Sequence, residues 1–355
     1  MKKIYYRTTN IDKTNAQYRI LLGQRSNGKS YAVKEKCLMK AYRGEGLFIY
    51  MRRYGFDCKT ADIAAYFTDM PINSITNGEY EGITVYRGEI FFCNYDENRK
   101  EIRGKLAGRA VYLSGLEHFK SQAFPNVTDV IYEEFVTTKM YLPEEPRMLM
   151  QFISTIARDR DITVWLIGNT ISRVCPYFEE WQLRNIPRQK QGTIDIYEFT
   201  RTDTNGNEYI TKIAVENCEN SGSSSKMFFG KTAESITSGT WETKDMPHLP
   251  RPKNDYTMLY ELLLSDLGFS FVMQLLVNSD GGMVVYIYPF TGKRNIKRKI
   301  SNIFSDDPLT TSCFNDKINA ERLMRDLISK RKICYSDNLT GGDFEQVISN
   351  RKGVL

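Results

Sequence analysis

The chain has 355 residues, of which 41% are hydrophobic, and this is enough for two domains with ordinary buried cores. It contains no apolar run of 18 residues and its N-terminus lacks the apolar stretch of a secretory signal, so neither a membrane span nor secretion is expected. Seven widely spaced cysteines and two histidines argue against a zinc site, a disulfide scaffold and a histidine-based triad, and the net charge of +6 is compatible with an anionic partner.

In chain order, the first half of the sequence alternates strand-like and helix-like segments. Strands are predicted at 18–23, 46–53, 82–94 (a hairpin), 109–115, 127–135, 162–169 and 192–201, and helices at 29–43, 61–67 and 143–160. The run "ITVWLIGN" at 162–169 is almost wholly apolar, as expected at the centre of a parallel sheet, whereas 192–201 alternates like an edge strand. This pattern predicts an α/β domain with a parallel central sheet over residues 1–201.

The second half has a different composition. Residues 202–254 are polar and rich in proline towards their end, and we interpret them as a linker or small insert. Three successive strands follow at 256–265, 269–278 and 281–290, and a helix with Asn315 or Asp316 as its cap is predicted within 315–332. These elements indicate a smaller α+β domain over 255–355.

A glycine-rich turn joins the first strand to the first helix. Its residues fit the pattern G-x-x-x-x-G-K-[ST]: Gly23, Gln24, Arg25, Ser26, Asn27, Gly28, Lys29 and Ser30. The glycines let backbone N–H groups converge on phosphate oxygens, and the helix adds its positive dipole end. Lys29 would reach the β and γ phosphates of ATP and the Ser30 hydroxyl would ligate Mg²⁺. The alternative is a tight strand-to-helix connection without a ligand.

Two carboxylates end the strand "VTDVIYEEF". In an α/β sheet the carboxyl end of a strand is where ligands bind, so Glu133 would join the magnesium shell and Glu134 would orient or deprotonate the attacking water. Glu134 is our first catalytic candidate. Taken alone, two adjacent glutamates are also typical of a solvated strand end.

Further polar residues follow the last apolar strand and the helix before it. Asn169 at the tip of "ITVWLIGN" could sense the γ-phosphate or cap a turn. Arg158 and Arg160 end the preceding helix, and an arginine supplied to a neighbour's γ-phosphate accelerates hydrolysis by roughly 10³–10⁵. The other arginines considered for this role are Arg25, Arg52 and Arg53.

Several segments together are more specific than a phosphate loop. In order, they are "YRILLGQRSNGKSY", "FIYMRRY", "KLAGRAVYLSG", "AFPNVTDVIYEEF" and "NTISRVCPYF". They resemble the DNA-packaging ATPases of small tailed phages of the phi29 type, over most of residues 15–180. The resemblance implies an ASCE-type P-loop ATPase in a homomeric ring, a pentamer, that docks on the phage portal and translocates double-stranded DNA. It also implies a structural RNA as a possible partner, no membrane, and a location in the host cytoplasm and transiently at the prohead portal vertex.

The resemblance also carries individual roles onto this sequence. The phosphate loop corresponds to 23–30 and the carboxylate pair to Glu133 and Glu134, with glutamate at 133 where aspartate is usual. The trans-acting arginine corresponds best to Arg158, with Arg160 as its neighbour. Lys105 in "KLAG" is a candidate at the subunit interface. Lys139, in the loop after the carboxylate strand, corresponds to the lysine that contacts DNA phosphates, a contact independent of base sequence.

Packaging ATPases of other phages carry a metal-dependent nuclease in their C-terminal domain. Such a site needs converging carboxylates, and residues 255–300 offer only Glu261, Asp266 and Asp280. The phi29-type resemblance implies an RNase H-type, nuclease-like fold, and the sparse carboxylates lead us to expect that it does not cleave DNA. Basic residues are dense instead and could bind DNA or RNA or form a solvated face: Lys293, Arg294, Lys297, Arg298, Lys299, Lys330, Arg331 and Lys332.

The favoured hypothesis is therefore an ATP-driven double-stranded DNA translocase. Two alternatives remain open: a nucleotide-binding scaffold or regulatory protein with little turnover, and a packaging enzyme with an active nuclease. Glu134 beside the phosphate loop disfavours the first, and the sparse carboxylates disfavour the second.

Overall fold

A computed structural model of the chain describes residues 5–119, 123–158, 160–202, 205–219, 241, 244–301 and 305–350. The contacts divide it into two compact units, each made of more than one chain segment. The first unit comprises Met1–Val136, Leu142–Thr170 and Asn185–Thr240, and the second comprises Thr137–Tyr141, Ile171–Arg184 and Trp241–Leu355. None of the helices in the described part of the chain is long and apolar enough to cross a bilayer.

The first unit is built on a nine-stranded sheet. Its strands are β1 (Tyr18–Leu22), β2 (Leu47–Arg52), β3 (Gly82–Tyr86), β4 (Glu89–Tyr95), β5 (Glu101–Tyr112), β6 (Val127–Glu133), β7 (Thr163–Ile167), β8 (Thr193–Thr202) and β9 (Glu208–Asn217). They lie in the order β3-β4-β5-β2-β6-β7-β1-β9-β8. In this order, the six neighbouring strands β5-β2-β6-β7-β1-β9 are parallel. Antiparallel strands complete the sheet on both sides, β4 and β3 next to β5 and β8 next to β9. The predicted parallel central sheet is confirmed.

Helices of the first unit cover this sheet. They are α1 (Thr9–Asp12), α2 (Lys29–Arg43), α3 (Thr60–Ala65), α4 (Ile72–Ile75) and α5 (Glu145–Ala157), with 3₁₀ turns at Gly55–Cys58, Leu113–His118 and Ile186–Arg188. The apolar residues of α5, including Leu149 and Ile156, are buried, because residues at this spacing share one face of a helix. All five residues of β1 are buried, as expected for a strand covered on both faces.

The second unit contains a mixed six-stranded sheet. Its strands are β10 (Tyr256–Asp266), β11 (Phe269–Asn278), β12 (Met283–Pro289), β13 (Lys299–Ser301), β14 (Thr310–Thr311) and β15 (Ile333–Tyr335), and its helices are α6 (Pro176–Glu180), α7 (Asn319–Ser329) and α8 (Asn338–Asn350), with a 3₁₀ turn at Lys253–Asp255. The strand order is β14-β13-β10-β11-β12-β15. Three antiparallel strands, β10 to β12, are extended by β13 parallel to β10 and β14 parallel to β13. β15 lies parallel to β12 at the opposite edge.

The boundaries differ from those predicted at 1–201, 202–254 and 255–355. Residues 208–217, placed in the predicted linker, form β9, which pairs with β1 on one side and β8 on the other. This strand was not predicted because the polar sequence before it, "DTNGN", resembles the start of a linker. The predicted linker residues 203–204, 220–240 and 242–243 lie outside the described residues.

Two further details of the second unit differ from expectation. The helix predicted within 315–332 begins at Asn319 after an extended Ile318, so the prediction of Asn315 or Asp316 as its cap is wrong. Asn315 is instead part of a turn, in which its Oδ1 accepts a hydrogen bond from the Lys317 N–H at 3.0 Å. Helix α8 was not predicted.

A buried ion pair connects β2 to the start of α5. Arg53 donates from Nε and Nη2 to the Glu145 carboxylate at 2.8 and 3.0 Å, and Glu145 is fully buried. The Tyr132 hydroxyl and the Leu142 N–H also donate to Glu145, at 2.7 and 2.9 Å. Arg53 further donates to the carbonyl oxygens of Glu134 and Phe135 at 3.2 and 2.7 Å. This network therefore fixes the chain immediately after β6.

Replacing Glu145 with alanine is expected to lower the free energy of unfolding by about 3–5 kcal/mol, because it leaves a buried guanidinium without its counter-charge. Urea-induced unfolding measures the loss. The matched control is Arg147→Ala on the same helix, which removes an exposed pair with Glu144 and is expected to cost less than about 1 kcal/mol. Equal losses in the two variants would contradict a stabilising role of the buried pair.

Candidate functional site

The turn between β1 and α2 has a backbone that requires its two glycines. Gly28 precedes the helix with φ of 93°, and Gly23 has φ of 151°, both in a region that L-residues rarely adopt. A Cβ at Gly23 would lie 3.3 Å from the Cys218 carbonyl oxygen at the end of β9. The structure therefore forms the curled loop that the motif predicts.

The Lys29 side chain is folded into this loop. Its ammonium donates to the carbonyl oxygens of Gln24 and Gly23 at 2.7 and 3.3 Å and to the Asn27 Oδ1 at 3.1 Å. Only 4% of the residue is exposed, and this burial lowers the pKa of Lys29 from 10.5 to about 8. These partners are neutral, so an anion in the loop would compensate the buried charge better than they do.

Other polar groups of the loop are buried as well. Within the described residues, both amide atoms of the Gln24 side chain and the Asn27 Nδ2 have no hydrogen-bond partner. Leaving a buried polar atom unpaired costs about 1–3 kcal/mol. Arg25 and Ser26 are exposed, and Ser30 is half-buried. Unpaired buried donors around a curled backbone are what a phosphate-binding loop offers a ligand.

Asn169 reaches the same loop from the neighbouring strand. Its Oδ1 lies 3.5 Å from the Lys29 Nζ. The chain around it is fixed to β1 and the loop, because the Gly168 N–H donates to the Leu21 carbonyl at 2.9 Å and the Thr170 N–H to the Gly23 carbonyl at 3.2 Å. The structure thus brings the predicted sensor residue to the phosphate-loop lysine.

Glu133 ends β6 as a buried carboxylate among cations. Its Oε2 accepts a hydrogen bond from the Tyr50 hydroxyl and lies 3.8 Å from the Arg52 Nη1, and its Oε1 lies 3.6 Å from the Lys34 Nζ. Burial and the nearby Glu133 charge together raise the pKa of Tyr50. In the described residues the Glu133 Oε1 accepts no hydrogen bond. This orphaned oxygen and the Ser30 hydroxyl are oxygen donors of the kind Mg²⁺ prefers, so these residues fit a magnesium ion that keeps several waters.

Glu134 has a different environment from its neighbour. Its backbone is left-handed, with φ of 57°, and its side chain is 66% exposed. The Arg52 Nη2 donates to its Oε2 at 2.7 Å, while the Arg52 guanidinium lies over the Tyr66 ring at 5.0 Å. Burial alone would lower the pKa of Arg52, but the negative charge of Glu134 and its neighbours raises it overall. Arg52 therefore stays charged and holds the Glu134 side chain.

The predicted trans-acting residues lie away from the phosphate loop of their own chain. Arg158 is exposed just after α5. Arg160 donates to the carbonyl oxygens of Ile156 and Phe124 at 2.6 and 2.8 Å, so it fixes the end of that helix. Lys105 is exposed and donates to the Tyr42 carbonyl near the end of α2. Helices α2 and α5 start near the carboxyl ends of the parallel strands and run antiparallel to them. Their last turns therefore lie at the other end of the sheet, near the amino ends of the strands.

Lys139 belongs to the segment Thr137–Tyr141, which is part of the second unit. Its side chain is exposed, and its N–H donates to the Thr137 Oγ1 at 3.0 Å. The flanking residues Val136 and Tyr141 are buried. The lysine thus lies at the tip of a short, anchored loop.

The carboxylates considered for a nuclease site have separate structural partners. Glu261 accepts two hydrogen bonds from Arg294 at 2.9 and 3.0 Å, Asp266 accepts one from the Leu267 N–H at 2.8 Å, and Asp280 lies 3.6 Å from Arg251. Among the described residues, no group of three or more His, Cys, Asp or Glu side chains could hold a metal ion.

Part of the predicted basic surface is not available to a ligand. Arg298 is 8% exposed and pairs with the buried Glu321 at 2.6 and 2.9 Å. Its inclusion among nucleic-acid-binding candidates is therefore wrong. Arg294 remains exposed although it is paired with Glu261.

Sequence reasoning missed several residues around the carboxylates. Tyr50 and Lys34 contact Glu133 across 83 and 99 positions of the chain. The Cys218 N–H at the end of β9 donates to the Leu22 carbonyl at 2.8 Å, next to the phosphate loop. No local pattern marks these residues, since each acquires its partner only through the order of strands in the sheet.

The fold and the site define the class of protein. The carboxylate strand β6 is separated from the phosphate-loop strand β1 by the inserted β7, which is the arrangement of ASCE-type P-loop proteins. A family model described as podovirus DNA encapsidation protein (Gp16) matches residues 1–201, and the chain belongs to this family.

Two similar curated relatives are DNA packaging proteins. The protein of Bacillus phage phi29 is 30% identical over 181 residues, which is 50% of this chain and 50% of the relative. The protein of Bacillus phage B103 is 33% identical over 162 residues, 44% of this chain and 46% of the relative. The chain spans about half the length of the curated relatives it matches.

Solved structures match over nearly the whole chain. A chain of the bacteriophage Phi-29 viral genome packaging motor assembly has a TM-score of 0.58 at 18% identity, covering 98% of this chain and 99% of that one. A chain of the Phi-28 gp11 DNA packaging motor has a TM-score of 0.52 at 14% identity, covering 99% of each. These likenesses confirm the predicted fold class.

The buried Lys29 gives the protein a pH dependence that can be measured. Its pKa in the folded state, about 8, lies below the usual 10.5, so the unfolded chain binds more protons between these values and stability rises with pH there. The free energy of unfolding of the wild type minus that of Lys29→Met is expected to rise by up to about 3 kcal/mol across this window. Denaturant titrations at a series of pH values measure the difference.

The control is Lys29→Arg, whose guanidinium stays charged throughout this range. Its stability relative to Lys29→Met should not change with pH. If the wild type also shows no change, Lys29 is not buried as a charged group.

Proposed function

We propose that this protein is an ATP-driven double-stranded DNA translocase of a viral genome-packaging motor. It would hydrolyse ATP at the interfaces of a homomeric ring, a pentamer, docked on the portal. Family membership and the DNA packaging proteins among its relatives support this role. The protein would act in the host cytoplasm and transiently at the prohead portal vertex, with a structural RNA as a further possible partner.

One observation carries the proposal. The buried Lys29 lies 3.5 Å from Asn169 in a curled glycine loop, and the strand that ends in the carboxylate pair lies one strand away from β1 in the same sheet. A phosphate-binding lysine, a polar strand tip and a carboxylate pair are the parts that ATP hydrolysis requires. A binding loop alone would not need the exposed Glu134 beside it.

Each part has a role set by its surroundings. Ser30 and Glu133 would hold Mg²⁺, which when bound neutralises charge on the β and γ phosphates. Lys29 would leave its carbonyl partners to contact the phosphates. Glu134, freed from Arg52, would orient the attacking water and accept its proton. Asn169 would report the presence of the γ-phosphate.

The neighbouring subunit would complete the site. Arg158 is exposed just after α5, at the end of the sheet away from the phosphate loop, which supports a role at another chain's nucleotide rather than its own. Lys105 lies near the same end. Arg160 is the weaker candidate because its guanidinium already holds two carbonyl groups. Lys139 would contact a DNA phosphate, which gives binding without sequence preference.

The first test is steady-state ATP hydrolysis with and without duplex DNA, for the wild type and Glu134→Gln. We expect turnover in the wild type that rises with DNA, and a loss of roughly 10²-fold or more in the variant, because the amide cannot accept the proton from water. Nucleotide affinity should change little, since Glu134 does not contact Lys29 or Ser30. The matched control is Glu45→Gln, an exposed glutamate after α2.

Two results would count against the proposal. Wild-type turnover no faster than that of Glu134→Gln, with or without DNA, would indicate a nucleotide-binding scaffold. DNA cleavage in the presence of Mg²⁺ or Mn²⁺ would indicate an active nuclease.

A second test examines the interface between subunits. Turnover per chain should rise with protein concentration, and Arg158→Ala should lose roughly 10³-fold or more of the activity of the assembled ring. Mixing Arg158→Ala with Glu134→Gln should restore part of the turnover, because a site with an intact Glu134 then receives Arg158 from its neighbour. Arg147→Ala, on the same helix, is the control. Mixtures no more active than either variant would remove Arg158 as a trans-acting residue.

A further inference from the structure

Helix α8 presents three polar residues on one face to two separate chain segments. Asp343, Gln346 and Asn350 are spaced three and four positions apart, so they lie on the same side of the helix. The two segments, Thr137–Tyr141 and Ile171–Arg184, both belong to the second unit. One follows the strand that carries Glu134, and the other follows Asn169 closely.

The first segment is held at both ends. The Gln346 Nε2 donates to the Thr138 carbonyl at 3.2 Å, and the Tyr141 N–H donates to the Asn350 Oδ1 at 3.1 Å. The amide of Asn350 is oriented because its Nδ2 donates to the Gln346 carbonyl at 2.8 Å. Lys139 and Met140 lie between these anchors and are exposed. The helix therefore fixes the backbone on both sides of Lys139 and leaves its side chain in solvent.

The second segment is held by an ion pair. The Arg173 guanidinium pairs with the Asp343 carboxylate, with Nε 3.4 Å from Oδ1. Asp343 is 6% exposed, so the pair lies largely out of water, where breaking it is costly. Arg173 lies four positions after Asn169.

We propose that α8 is a positioning element that holds the Lys139 loop, through Gln346 and Asn350, and the segment after Asn169, through Asp343, in a fixed arrangement. This inference rests on the proposed function, because it assumes that Lys139 contacts DNA and that α8 supports this contact by positioning the loop. The two segments follow Glu134 and Asn169 in the chain, and within the second unit they share one anchor.

The test compares variants of Asn350. Asn350→Ala removes the acceptor of the Tyr141 N–H, whereas Asn350→Asp keeps an acceptor oxygen there. We expect amide exchange of 137–141 to be faster and binding of a duplex oligonucleotide to be weaker by roughly three- to tenfold in Asn350→Ala, with recovery in Asn350→Asp. Ser349→Ala on the exposed side of the helix is the control, and Lys139→Ala reports the role of the lysine itself. Thermal unfolding verifies that each variant is folded.

The outcomes separate this inference from the proposed function. If Gln346→Ala/Asn350→Ala leaves both amide exchange and duplex affinity unchanged, the helix does not position the loop. The inference also fails if the double variant has faster amide exchange but unchanged duplex affinity, while Lys139→Ala has weaker duplex affinity. If the double variant has faster amide exchange, and neither it nor Lys139→Ala alters duplex affinity, the loop is positioned by α8 as inferred. The proposed DNA contact of Lys139 is then wrong.

Discussion

The parallel alignment of β6, β7 and β1 is the constraint on which the site depends. Glu133 pairs in register with Ile167, and Leu21 pairs with Ile167 from the other side. All three strands therefore end at the same level, and the residues that follow them are brought to one edge of the sheet. Asn169 and the carboxylate pair follow these strand ends, and Asn169 lies 3.5 Å from Lys29 although the two are 140 positions apart in sequence.

Two consecutive arginines at the end of β2 contact different parts of Glu134. Arg52 binds its side chain, and Arg53 binds its backbone carbonyl together with the buried Glu145. The side-chain contact is exposed at the Glu134 end and can exchange with water, whereas Arg53, which makes the backbone contact, is itself buried. The Glu134 side chain is thus exposed to solvent while its backbone carbonyl is held by Arg53.

The parts of the fold with a local signal could be predicted from the sequence. The phosphate loop, the carboxylate strand and the apolar β7 each carry their pattern within about ten residues, and all three were located correctly. β9 was not predicted. Its C-terminal half is buried because the strand pairs with β1 on one side and β8 on the other, and no local pattern indicates this pairing. The ion pair of Arg52 with Glu134 was not predicted either, since it depends on β2 lying next to β6. The roles of the site residues remain predictions.

The second unit is assembled from three separate stretches of chain, and this affects how the protein can be made. Val174, fully buried in its hydrophobic core, comes from the segment Ile171–Arg184 rather than from the C-terminal stretch. A fragment starting at residue 241 would therefore have an open place in its core. During synthesis on the ribosome, residues 171–184 must likewise wait for β10, β11 and α8 before they are covered, so this apolar segment depends on completion of the chain for its protection from aggregation.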